Sequence, residues 1–85
     1  MEKIRIDLVR LKTEEDALKR FGRLKGMPAD YNSELDGILQ AWDKPLKIEI
    51  VIGGNIGPFT KLMEMLEDVR TTNNNLLFVV IMYMA

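Results

Sequence analysis

The chain has 85 residues with 12 Lys and Arg, 13 Asp and Glu, no Cys and no His. That inventory excludes thiolate and imidazole chemistry, disulfides, and zinc sites built from either side chain. Ser33, the only serine, has no partner of the usual triad type, so a binding module is expected rather than an enzyme, in a single domain over 1–85 with no cofactor and no metal.

In chain order, Met1 to Asp7 alternates charged and aliphatic residues, unlike the unbroken apolar core of a signal peptide. The even-numbered apolar positions of Ile4–Val9 predict a strand. Thr13 with Asp16 three residues on has the form of a capping box, and Ala17, Leu18, Phe21 and Leu24 make one helical stripe. Gly26-Met27-Pro28 stops that helix. Ser33 with Asp36 repeats the capping signal, and Leu35, Ile38, Leu39 and Trp42 stripe a second helix over 33–43. Leu46–Ile52 has period two again, with Pro45 placed where a missing N–H does least harm. A last helix starts after Gly57, with Pro58 in its first turn and a stripe of Phe59, Leu62, Met63, Leu66 and Val69. Thr71 to Asn75 ends it, and Leu76 to Met84 is a third strand. The apolar run 76–85 is about half of a ~20-residue membrane span, so no membrane association and a cytoplasmic location are expected.

The order β-α-α-β-α-β implies crossovers, hence an α/β fold with a three-stranded parallel sheet. Because the first two strands alternate, a two-layer arrangement is expected, with helices on one face and the other open to water. In the third strand Leu76, Phe78, Val80 and Met82 are expected to face the helices. Leu77, Val79, Ile81 and Tyr83 then form an apolar outer row that needs a cover, either an irregular loop or a second copy of the chain.

Net charge is −1, unevenly distributed. Residues 1–26 carry a net +3 and residues 27–58 a net −3, and 28–43 hold Asp30, Glu34, Asp36 and Asp43 with no Lys or Arg. Such a block favours a cationic protein and disfavours direct nucleic-acid binding. The Gly53-Gly54-Asn55-Ile56-Gly57 loop joins a strand to a helix but has neither phosphate-binding glycine spacing, so it reads as a tight turn. The carboxylate pairs Glu64/Asp68 and Asp36/Asp43 read as solvated helix charges.

The stretch from Pro28 to Trp42, followed by Pro45-Leu46-Lys47-Ile48-Glu49, resembles the barstar family of intracellular ribonuclease inhibitors. That family's pattern is proline, one residue, two aromatics, glycine, any, asparagine, any, Asp-Ala-Leu, any, Asp. Pro28, Tyr31, Asp36 and Ile38 match it in type and spacing, and the order of elements matches over nearly the whole chain. The resemblance implies sheet order 1-2-3 and a protein that occludes the active site of a basic, secreted-type ribonuclease through an acidic loop and helix. It assigns partner contacts to Tyr31, Leu35, Asp36, Leu39 and Gln40, with Asp68 adding a flanking charge; Glu34 and Asp43 are added from the charge pattern of this chain, as carboxylates that stripe the surface with Asp36. The chain departs from the pattern at Asp30, Asn32, Glu34 and Gln40, the last standing at the family's strongest acidic anchor. The alternative from a different class is a module of the same fold that self-associates through the outer face of its last strand.

Overall fold

Alternation in the first two strands and a continuous apolar run in the third build one sheet. In the computed structural model, which describes residues 2–24, 26–28, 30, 32–54 and 56–83, β1 (Glu2–Asp7), β2 (Leu46–Ile52) and β3 (Leu76–Met82) are all parallel, in the order β1-β2-β3. Register sets Ile4 beside Ile48 and Ile48 beside Phe78, and likewise Ile6, Ile50 and Val80, so even-numbered side chains share one face. Ile4, Ile6, Ile48 and Ile50 are buried there with Phe21, Leu35, Leu39, Leu62, Leu66 and Val69 from the helical segments. The helices are α1 (Glu14–Lys19), α2 (Ser33–Gln40) and α3 (Thr60–Thr72), an arrangement compatible with two layers.

Several boundaries differ from the expected ones, each for a local reason. β1 stops at Asp7 rather than Val9, because the Asp7 carboxylate accepts from the Val9 and Arg10 N–H groups and turns the chain. Thr13 caps α1 as expected, its Oγ1 accepting from Asp16 N–H. The stripe through Leu24 is not one helix, however. α1 ends at Lys19, and Phe21–Arg23 form a 3-10 turn around Gly22, a residue that weakens α-helix. The cap of α2 is Asn32 instead of Ser33: its side-chain oxygen accepts from Leu35 N–H at 2.9 Å. Pro58 opens a 3-10 turn, Gly57–Phe59, that leads into α3.

β3 departs most. Val80 and Met82 lie on the helix side of the sheet but are 53% and 62% exposed, and on the other side Leu77 and Tyr83 are 49% and 54% exposed. Val80 and Met82 thus lie on the expected side of the sheet without being buried there. β3 is an edge strand, and α3, the single helix leading into it, covers only its first residues: Leu76 is buried and Phe78 half-buried.

The opposite face, expected to be open to water, is closed along the central strand, where Val51 is buried beside Glu49. Lys3 and Arg5 of β1 are exposed, whereas Glu49 in the central strand is buried, with Lys3 Nζ at 3.5 Å and Lys47 Nζ at 3.8 Å. These ammonium groups offset the cost of holding that carboxylate away from water.

Candidate functional site

α2 is short, and both of its ends are held by side-chain amides. At its start Asn32 caps Leu35 N–H and also donates from Nδ2 to the Asp30 carboxylate at 2.8 Å. At its end the buried Asn73, from the α3–β3 connection, donates to the carbonyls of Leu39 (2.9 Å), Gln40 (3.2 Å) and Trp42 (2.9 Å). With two hydrogens on Nδ2, one is shared between carbonyls. Asn75 Nδ2 adds a bond to Trp42 O, and Asn75 N–H donates to the Asn73 side-chain oxygen. Leu39 O also accepts from Trp42 N–H, so within α2 it is the Gln40 carbonyl that depends on Asn73, and α2 stops at Gln40 rather than running to Asp43.

This frame divides the residues assigned to partner contact. Glu34, Gln40 and Asp43 are exposed and Asp36 is half-exposed; Asp36 and Gln40 share one flank of α2, whereas Glu34, two residues before Asp36, lies on the other flank. Gln40 Nε2 donates to Asp36 Oδ1 at 3.1 Å, one helical turn apart. Asp36 thus engages Gln40 and not the Ser33 backbone. Leu35 and Leu39 are fully buried in the core, so the expectation that they point outward to a partner is corrected: their spacing with Ile38 places them on the sheet-facing stripe. Asp68 is exposed on α3. Tyr31 lies outside the described residues. No ion pair involves Asp30, Glu34, Asp36 or Asp43 among the described residues; those that form join Lys3 and Lys47 to Glu49, Arg10 to Asp7, Lys19 to Glu15, and Arg70 to Glu67. Four carboxylates with no described counter-charge therefore lie along one segment.

Beside Asp43, a shallow cavity of about 310 Å³ is lined by Glu2, Trp42, Asp43 and Lys44. Trp42 is half-buried against the core, and its Nε1 is shielded without an acceptor. Sequence reasoning missed the role of Asn73, which it read only as the end of a helix. The available signal was its run of amides, since a short helix such as α2 needs a donor for its last carbonyls.

The loop 53–57 includes Asn55, outside the described residues. The first turn of α3 behind it is already engaged: Glu14 Oε1 accepts from Leu62 N–H at 2.6 Å. A carboxylate fills the place that a phosphate would take at a helix start. Among the described residues no group of three or more acidic side chains is arranged to hold a metal ion, and no helix is long and apolar enough to cross a membrane. Comparison with family models, with curated proteins and with solved structures yields no match.

Proposed function

We propose that this protein is a barstar-like inhibitor that sets the solvent side of α2 and its flanking turns against the cationic active site of a basic ribonuclease, within the cytoplasm of the cell that makes the enzyme. The observation that carries the reading is the series Asp30, Glu34 and Asp43, exposed, with the half-exposed Asp36, all free of described ion pairs on a segment without Lys or Arg. A ribonuclease cleft holds Arg and Lys to grip phosphate, and carboxylates on a helix anchored at both ends occupy that place as a substrate mimic. Gln40 supplies an amide where the family pattern has its acidic anchor, and it positions Asp36 through their hydrogen bond.

Titration of the protein against a guanyl-specific secreted ribonuclease, read by RNA cleavage, tests this. Stoichiometric loss of cleavage is expected, with association slowing as salt rises. Gln40→Asp, which restores the family's acidic anchor, is expected to tighten the complex, and Asp36→Ala to weaken it. Absence of inhibition at micromolar protein by a folded sample overturns the reading.

A further inference from the structure

Both sides of β3 are exposed to a similar degree, so what lacks a cover is the edge of the sheet rather than its outer face. Leu77 and Tyr83 are exposed on one side, Val80 and Met82 on the other. Stacking a copy on the outer face would leave Val80 and Met82 in water; extending the sheet sideways gives both rows apolar cross-strand neighbours. The backbone agrees. Asn75 O accepts from Leu46 N–H and Tyr83 N–H donates to Ile52 O, so the odd-numbered peptide groups of this strand point toward β2. By alternation the N–H and C=O groups of Phe78, Val80 and Met82 point to the free edge.

From this we propose that β3 pairs with β3 of a second copy, antiparallel about a two-fold axis at Val80, to give one six-stranded sheet. This goes beyond the inhibitor reading and does not depend on it. Antiparallel pairing of like residues about that axis sets Val80 opposite Val80 and Phe78 opposite Met82 on the helix side, and Leu77 opposite Tyr83 and Val79 opposite Ile81 on the other. The strand carries no charge from Leu76 to Tyr83, so self-pairing brings no like charges together. It also sets an aromatic ring opposite an apolar chain at Leu77, Met82 and Tyr83. A second copy fits here for a further reason: next to the edge, a groove of about 140 Å³ lies between α3 and β3, lined by Met63, Leu66, Phe78 and Val80 with Glu67 and Arg70 at its rim. The incoming Met82, opposite Phe78, is placed to fill it, and a flexible thioether suits an irregular gap.

The area is adequate for a modest dimer. At ~150–250 Å² per large side chain, the four exposed residues leave roughly 400 Å² of mostly apolar surface open per copy. Even complete burial in both copies gives roughly 800 Å², the size of a weak, reversible contact, to which the edge hydrogen bonds add.

Sedimentation equilibrium on the full chain over a hundredfold concentration range tests the pairing. The mass is expected to rise from one chain to two and no further. Val80→Lys places two ammonium groups across the axis and is expected to weaken association at least about tenfold. Val80→Glu behaves likewise, and an equimolar mixture of the two variants associates again. Since the chain has no cysteine, Val80→Cys adds a single thiol opposite its own copy, and oxidation is expected to cross-link it while an exposed Glu64→Cys control, whose thiols lie far from the axis, pairs without being cross-linked. A strict monomer across the whole range overturns the proposal, as does a dimer that survives Val80→Lys or a mixture of the charged variants that stays apart.

Discussion

β1 and β3 flank the same central strand in matched register, yet one is sealed and the other is open. β1 buries Ile4 and Ile6 on its helix side and carries Lys3 and Arg5 on the other, so its edge is guarded by charge. β3 exposes apolar side chains on both sides and carries no charge. The difference follows from the two connections. The long link from β1 to β2 brings α1, a 3-10 turn and α2 over the sheet, whereas the link from β2 to β3 brings a short turn and α3 alone. One helix laid along β2 and β3 leaves the far end of the last strand uncovered.

The contrast breaks if the buried side of β1 proves no more costly to disturb than the open side of β3. Ile6→Ala is expected to destabilise by about 3 kcal/mol or more in urea unfolding, and Val80→Ala by under ~1 kcal/mol at concentrations where the chain is monomeric. Asn73→Ala comes next, at roughly 1–3 kcal/mol, because it empties a buried polar site and removes bonds to three carbonyls, of which Gln40 O is left without its donor. Its loss is also expected to weaken binding to a basic ribonuclease by displacing Gln40 and Asp43. The guarding role of charge is sharpened by Lys3→Val with Arg5→Val, expected to lower solubility, measured as the concentration at which light scattering appears. The smallest effect on stability belongs to Asp36→Ala, within about 0.5 kcal/mol, since the site is solvent-facing and its only described bond is to Gln40. A large destabilisation there would show that the acidic segment serves the fold instead of a partner.

Much of this architecture is legible in the residues. Period two in Ile4, Ile6, Ile48 and Ile50 foretells strands with one buried face, and Thr13 marks the start of α1. The stripe of Phe59, Leu62, Leu66 and Val69 identifies the buried side of α3, although Met65 joins it and Met63 is only half-buried. What escapes is whatever depends on distant neighbours. Leu35 and Leu39 read equally as core or contact until the sheet lies beneath them. Val80 and Met82 share a face with Leu76, but exposure at an edge depends on how far α3 reaches. Asn73 and Asn75 sit in a tract that any loop could carry, and their partners are carbonyls at the end of α2 and in the turn after it, more than thirty positions earlier in the chain.

That tract reverses the usual rule for connecting segments. Loops ordinarily accept insertions and graft sites, because little of their backbone is bonded to the rest of the molecule. Here the three residues between α3 and β3 close the end of α2 and present Asn75 O to Leu46 N–H at the start of the central strand. Lengthening them by a single residue would unfasten two elements at once. The exposed Gly54 turn, by comparison, is the place to splice in a tag, a fluorophore or a linker.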